Sequence, residues 1–246
     1  MGATPAWPPR STPRLYVAER LAPGPRTLDG PSAHYLLSVL RAKPGDPVKL
    51  FDDATGEWLA VVSDVARRTL TLDVRDHLSL REAVPDLWLC FAPLKKGPID
   101  FLVEKACELG VARLVPVVTR RTIVDRIASD RLRANLIEAA EQCGRTALPE
   151  LAEPVKLAAL LRDWDPARTL FFADEEGGAP AHAAMAAQPG AAAILIGPEG
   201  GFDAEERALI RALPQAQAIT LGPRILRAET AAAAALSVWM TAAGDW

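Results

Sequence analysis

Two similar stretches near the C-terminal end of the 246-residue chain constrain its fold most strongly. They read AAAILIGPEGGF at residues 191–202 and LGPRILRAETA at residues 221–231. Each is a short apolar run that meets Gly-Pro, then polar residues, and then a helical pattern. A strand that ends in a glycine-rich turn and opens a helix is where open α/β proteins bind ligands. The two stretches therefore predict an α/β fold in which both turns build one pocket.

The rest of the chain divides into two patterns, separated by a predicted linker at residues 81–85. Before the linker, short strand-like runs surround one helical pattern at 31–41, which predicts a small β-barrel-like domain over residues 1–80. Residues 1–13 are proline-rich without a signal-peptide core, and they are predicted to be a flexible lead-in. After the linker, apolar strands alternate with helices. This predicts a second domain over residues 85–246, with a parallel sheet covered on both faces.

The composition argues against several classes of protein. The cysteines have no close pair, which indicates reduced, buried thiols in a cytoplasmic protein. The histidines are too scattered for a ligand cluster, so no metal is expected. The longest apolar run, 231–240, is about half a membrane span and predicts a buried helix rather than a membrane anchor. The cysteines are Cys90, Cys107 and Cys143, and the histidines are His34, His77 and His182.

The charge is unevenly distributed. The net charge of −3 does not by itself favour nucleic acid. However, residues 1–150 carry 21 Lys and Arg against 19 Asp and Glu, whereas residues 151–246 carry 7 against 12. Phosphate contacts need local basic patches rather than a basic average. Binding of a nucleic acid therefore remains open at this point.

The first turn, IGPEGG at residues 196–201, carries glycines that allow a ligand to approach the backbone, and Asp203 is predicted to cap the next helix. No Lys-Ser/Thr follows as in a P-loop, and the spacing does not fit the dinucleotide fingerprint. The second turn is followed by Arg224, Arg227 and Glu229 near the start of a helix. The plain alternatives are a tight turn without a ligand and a capped helix with a local ion pair.

These motifs, together with KACELG at residues 105–110 and EQCGR at 141–145, resemble the RsmE family, the 16S ribosomal RNA methyltransferases that methylate a uridine at N3. The resemblance covers nearly the whole chain, including PRLYV at 13–17. It implies a PUA-like β-barrel RNA-binding domain followed by a SPOUT α/β-knot domain, whose deep trefoil knot binds S-adenosyl-L-methionine. It also implies a homodimer with the pocket at the subunit interface. Such a knot is a rare exception among protein folds.

The resemblance and the chemistry of the residues together assign roles as hypotheses. Uracil N3 carries a proton that must leave, so Glu199 and Glu229 are candidate bases, and Arg227 or Arg224 could stabilise charge on the uracil oxygens. The sulfonium of the cofactor needs no metal. The predicted cofactor-binding residues lie in or beside the strand exits: Phe172, Ile196, Gly197, Glu199, Gly200, Gly201, Leu221, Gly222, Ile225, Leu226 and Thr230.

Basic side chains outside the two turns are candidates for binding ribosomal RNA. For any single one, the alternative is a solvated side chain, or compensation of a helix dipole in the case of Arg145. The candidates are Arg14, Arg41, Lys95, Lys96, Arg121 and Arg145.

The leading hypothesis is a cytoplasmic enzyme that uses S-adenosyl-L-methionine to methylate N3 of a uridine in 16S rRNA of the small ribosomal subunit. A second hypothesis keeps the fold but places the methyl group on a ribose 2′-hydroxyl. A third is a non-catalytic RNA-binding factor in ribosome assembly. The intact glycine turn and the intact RAET segment argue against the third, since a binding protein would not need both.

Overall fold

A computed structural model describes residues 12–124 and 127–246. Most of the predicted lead-in, residues 1–11, therefore lies outside the described residues. The chain forms two compact units. The first ends at Ala83 and also takes up Ala140–Ala147, a segment that the sequence-based division places in the second domain. The second comprises Val84–Ala139 and Leu148–Trp246.

The first unit is built on a five-stranded sheet in the order β1-β3-β4-β5-β2, in which only β1 and β3 pair in parallel. Its inward side chains are aliphatic, and Leu36, Leu50, Leu70 and Leu72 are fully buried among them. The elements are β1 (Arg14–Tyr16), β2 (Gly24–Leu28), α1 (Gly30–His34), a π-helical turn (Tyr35–Val39), β3 (Pro47–Asp52), β4 (Gly56–Val65) and β5 (Leu70–Ser79).

The helix predicted at residues 31–41 is shorter and less regular than its apolar pattern suggests. One α-helical turn, Gly30–His34, passes into the π-helical turn, and Arg41 then adopts a φ of +54°. A left-handed conformation ends a helix, so the regular pattern stops there.

The second unit has an eight-stranded parallel sheet with helices between the strands. Seven strands run in the order β11-β13-β10-β12-β6-β7-β8, and β9 pairs with β7. The predicted α/β domain with a parallel sheet is confirmed. The elements are β6 (Leu87–Phe91), α2 (Pro98–Glu108), β7 (Arg113–Val118), α3 (Ser129–Cys143), β8 (Glu150–Leu151), β9 (Val155–Lys156), α4 (Leu157–Arg162), β10 (Thr169–Ala173), β11 (Ala179–Pro180), α5 (Ala181–Ala186), β12 (Ala192–Ile196), α6 (Ala204–Ala212), β13 (Ala216–Thr220) and α7 (Ala228–Ala243).

Strand order decides where the two turns meet. β10 lies between β12 and β13, with Phe172 opposite Leu195 on one side and Ala218 on the other. Because parallel strands point the same way, the carboxyl ends of all three lie at one edge of the sheet. That edge carries both glycine turns.

Other expectations concern burial. The apolar run 231–240 lies in α7, where Leu236, Trp239 and Met240 are buried as predicted. No helix in the described ranges is long and apolar enough to span a membrane. Burial raises the pKa of the Cys90 thiol to about 12. Cys143, in contrast, is exposed, which corrects the expectation that all three thiols are buried.

Arg14 and Arg145 have contacts inside the first unit that differ from the predicted contact with RNA. The Arg14 guanidinium lies 3.8 Å from the centre of the Phe51 ring and donates to Glu57 and to the carbonyls of Ala140 and Arg145, at 2.5–2.6 Å. The Arg145 side chain is 4% exposed and lies 3.6 Å from Glu82. Both guanidiniums are mostly buried and contact groups of the first unit, which argues against a contact with RNA. This network explains why Ala140–Ala147 belongs to the first unit.

Replacing Arg14 with alanine should lower the free energy of unfolding by about 3 kcal/mol, because the partly buried Glu57 carboxylate and two carbonyls lose their hydrogen-bond donor. Burial raises the pKa of Glu57, but hydrogen bonds from Arg14 and Lys49 outweigh it and leave the pKa below its ordinary value of 4.5. The stability from this group is therefore present above pH 4.5 and lost as the pH falls further. Urea unfolding of the wild type and of Glu57→Gln at several pH values measures this difference.

Arg26→Ala is the control, because the Arg26–Glu19 ion pair is more exposed and should contribute less than about 1 kcal/mol. Equal losses for Arg14→Ala and Arg26→Ala would contradict a structural role for Arg14.

Candidate functional site

A cavity of about 310 Å³ lies between the two glycine turns of the second unit. This volume is within the range of small-molecule sites, about 300–1,000 Å³. The residues that line it lie at the ends of β10, β12 and β13, in the loops that follow these strands, and in α6 and α7. They are Ala173, Asp174, Glu175, Ile196, Gly197, Pro198, Glu199, Gly201, Phe202, Arg207, Ile219, Thr220, Leu221, Gly222, Arg224, Ile225, Leu226, Arg227, Ala228 and Ala231.

The first turn has a backbone that only glycine fits well. The Gly201 N–H donates to the Pro198 carbonyl at 2.9 Å, and Gly201 has a φ of +69°. A Cβ on Gly197 would lie 3.1 Å from the buried Phe202 ring. The turn is therefore compact, and its residues Gly197 and Gly201 line the cavity without a side chain.

Asp203 then caps α6, as predicted. Its carboxylate accepts from the Glu206 N–H at 2.7 Å, and the Glu206 carboxylate accepts from the Asp203 N–H, which makes a capping box. The backbone hydrogen bond from Glu206 holds the pKa of Asp203 below its usual range. The direction of the chain after the first turn is thus fixed.

The loop after β7 contacts the first turn and the start of α6 through two arginines. Arg121 donates to the Gly200 carbonyl at 2.5 Å, and Arg120 forms ion pairs with Asp203 and Glu205. The Arg120 N–H also donates to the buried Glu206 carboxylate at 2.7 Å. Gly200 therefore faces Arg121, and it is not among the residues that line the cavity.

The second turn follows β13 and leads into α7. Gly222 has a φ of +117°, a conformation that side-chain-bearing residues rarely adopt. Ile225 is 81% exposed at the cavity, and Leu226 is half-buried. Arg227 occupies the N-cap position of α7, and its carbonyl accepts from Ala231 at 2.8 Å.

The charged side chains of the two turns have no ionic partner within the described ranges. Glu199, Arg224 and Arg227 line the cavity, while Glu229 is the second residue of helix α7. None of the four forms an ion pair with another described residue. The local Arg227–Glu229 pair that the plain alternative requires is absent there. Their charges therefore remain available to a ligand.

The other predicted residues are placed as follows. Phe172 is buried in the core, and Thr230 is exposed outside the lining. Lys95 and Lys96 are exposed between β6 and α2, at the same sheet edge as the cavity. Arg41 is exposed in the first unit.

Sequence reasoning missed the acidic group that follows β10. Asp174 is buried, and its carboxylate accepts from Arg207 at 3.1 Å and from Arg211 at 2.6 Å. Glu175 and Arg207 line the cavity. The available signal was the run DEEGG at residues 174–178, directly after an apolar strand.

Within the described part of the chain, no group of three or more His, Cys, Asp or Glu could hold a metal ion.

Comparison with known families gives two matches. A family described as "RNA methyltransferase domain" matches residues 81–240, and one described as "RNA methyltransferase PUA domain" matches residues 28–75.

Curated relatives named ribosomal RNA small subunit methyltransferase E match most of the chain. The Rickettsia conorii protein is 28% identical over 229 residues, covering 91% of this chain and 93% of the relative. The Synechocystis protein is 31% identical over 232 residues, covering 91% of this chain and 76% of the relative.

Solved structures agree with these matches. Ribosomal RNA small subunit methyltransferase E from Neisseria gonorrhoeae, bound to S-adenosyl methionine, has a TM-score of 0.83 at 29% identity and covers 96% of this chain and 99% of its own. A methyltransferase from Legionella pneumophila in complex with the same cofactor has a TM-score of 0.85 at 31% identity, with 96% and 99% coverage.

Proposed function

Because the chain belongs to the ribosomal RNA small subunit methyltransferase E family, we propose that it uses S-adenosyl-L-methionine to methylate N3 of a uridine in 16S rRNA. The observation that carries this proposal is the cavity between the two glycine turns, with Glu199, Arg224 and Arg227 at its lining and free of ionic partners within the described ranges. A pocket of this kind can bind a cofactor and also place charged side chains beside a substrate on which charge develops during the reaction.

The lining residues fit the cofactor. Leu221, Ile225 and Leu226 offer apolar surface for adenine, and Gly197, Gly201 and Gly222 line the cavity without a side chain that would keep a ligand from the backbone. When bound, S-adenosyl-L-methionine supplies a methyl group activated by its sulfonium. The protein has to hold the uridine in line with that methyl group. Alignment alone is worth up to about 7–11 kcal/mol of barrier.

We assign the proton chemistry to the charged residues of the turns. The N3 proton of uracil needs an acceptor, and Glu229 or Glu199 supplies a carboxylate. As the proton leaves, negative charge develops on the uracil oxygens, and Arg227 or Arg224 stabilises it. A guanidinium without an ionic partner in its own unit can make that contact at no cost to an existing ion pair.

We further propose that exposed cations bind the rRNA: Lys95, Lys96 and Arg121 in the second unit and Arg41 in the first. Arg14 and Arg145 are left out because both are enclosed. Phosphate contacts of this kind should weaken steeply with salt.

We also propose the trefoil knot of SPOUT proteins for the second unit, a cytoplasmic location and a homodimer. Four exposed apolar side chains of the second unit are candidates for the dimer contact. A monomer mass in sedimentation velocity at micromolar concentration would contradict it. These side chains are Phe101, Val118, Ile123 and Ile225.

Primer extension on methylated rRNA tests the proposed reaction. The protein is incubated with labelled S-adenosyl-L-methionine and 16S rRNA, free or in small subunits, and the product is copied by reverse transcriptase. Methylation at N3 blocks Watson–Crick pairing, so we expect a stop at one uridine. Label without a stop would indicate ribose 2′-O methylation, and no label in any RNA would indicate a binding protein.

Removing the charges of the second turn should slow methyl transfer without loosening the cofactor. We expect Glu229→Gln to lower kcat by about 10²–10⁴-fold and Arg227→Ala by about 10²–10³-fold. Cofactor affinity, measured by calorimetry, should change less than about threefold. Arg133→Ala, which removes an exposed arginine from α3, is the control. Parallel losses of affinity and rate would assign Glu229 or Arg227 to structure instead.

Two glycines form a matched pair that tests the second turn. Gly222 has a φ of +117° and Gly190 a φ of +116°, and a Cβ on either would meet nothing within 4 Å. Alanine should therefore cost each a similar 1–2 kcal/mol, roughly, of backbone strain. Only Gly222→Ala should also weaken cofactor binding, since Gly190 lies outside the cavity lining. Equal cofactor affinities for the two variants would show that the second turn is not part of the site.

A further inference from the structure

Building on the proposed function, we propose that Glu175 binds the ribose hydroxyls of the cofactor, and that Asp174 and Arg207 position its carboxylate. This gives a role to the acidic group that follows β10 and that the motifs of the two turns do not include.

Glu175 stands at the right place in the cavity. It lies two residues after β10, the strand between the two that carry the glycine turns, and it lines the cavity. Its carboxylate rests against the first turn, since a Cβ on Gly201 would lie 2.6 Å from Oε1 and 2.9 Å from Oε2. A ligand held between the turns therefore meets this carboxylate beside bare backbone.

The carboxylate is held by a network that is mostly buried. The Asp174 side chain is 0% exposed and accepts from Nε of Arg207. The Arg207 side chain is 11% exposed, and its Nη2 donates to Glu175 Oε1 at 3.0 Å. Because Asp174 fixes the guanidinium and the guanidinium fixes Glu175, little side-chain freedom is lost when a ligand binds.

One oxygen of Glu175 is left for a ligand. The side chain is 46% exposed. Within the described ranges, Oε1 accepts from Arg207, and Oε2 has no hydrogen-bond donor. The neighbouring Glu176 is also paired with Arg207, but it is not part of the cavity lining.

The form of the free acceptor favours the ribose as the part of the cofactor that Glu175 binds. The cofactor carries three kinds of donor: the amino group of adenine, the hydroxyls of its ribose and the ammonium of its amino-acid tail. Arg207 and Arg211 offset two of the three carboxylates of Asp174, Glu175 and Glu176. The charge of the group therefore does not choose between these donors, and the experiment below separates them. In dinucleotide-binding folds, an acidic residue after a strand takes ribose hydroxyls in the same way.

The test uses calorimetry on the full chain with two probes, 5′-methylthioadenosine and its 2′,3′-dideoxy analogue. Both carry adenine and neither carries an ammonium. The wild type should prefer the ribose compound by about tenfold to a hundredfold, the value of a hydrogen bond to a charged group. Glu175→Ala should lose that preference, whereas the matched control Glu176→Ala should keep it. Asp174→Asn should reduce the preference for the ribose compound. If Asp174 had only a structural role, this substitution would lower the affinity for both probes equally.

Several results would overturn the inference. Glu175→Ala could keep the full preference for the ribose compound, or it could lose affinity for both probes equally. It could also bind the two probes as the wild type does and lose affinity only for S-adenosylhomocysteine, which would assign Glu175 to the ammonium.

The failure of this inference is distinguishable from failure of the proposed function. If the wild type binds the cofactor and produces the primer-extension stop while Glu175→Ala retains the ribose preference, only the role of Glu175 is wrong. If the wild type neither binds the cofactor nor transfers a methyl group, both are wrong.

Discussion

The parallel pairing of β10 with β12 on one side and β13 on the other is the constraint on which the candidate site depends. β10 and β12 are almost wholly apolar because both faces of the sheet are covered there, so their polar neighbours lie beyond the strand ends. The register brings three strand ends to one edge. A shift of one residue would turn every side chain of β10 to the opposite face and break up the core around Phe171 and Phe172. The pocket is therefore as well fixed as the sheet itself.

Arginine does similar structural work in both units. Arg14 donates hydrogen bonds to a carboxylate and two carbonyls in the first unit, and Arg207 forms ion pairs with three carboxylates in the second. A guanidinium can serve several acceptors at once because it presents five donors in a rigid plane, which the ammonium of lysine cannot do. Such arginines stabilise the fold through contacts within the protein, so a high arginine content does not by itself indicate nucleic-acid binding.

Arg224 and Arg227 at the second glycine turn and Glu199 in the first line the cavity without ionic partners in the described ranges. They contrast with Arg207, which is paired with three carboxylates. In the proposed reaction, the paired group after β10 holds the cofactor, and the unpaired group after β13 acts on the substrate. Methylation at N3 of uracil needs both, since the cofactor must be held still while a proton leaves and negative charge spreads over the base.

The sequence by itself determined the local features: mostly apolar strands, glycines where a positive φ is needed, the Asp203 cap, and the two turns with their charged residues. It also indicated the family through several motifs spread over the chain. Only the tertiary structure decided which distant residues meet. Asp174 and Arg207 are 33 residues apart, and Arg14 and Arg145 are 131 apart, so no local period connects them. Strand order, which depends on how the whole chain packs, put Glu175 in the pocket and enclosed Arg14 and Arg145, and neither outcome can be read from spacing.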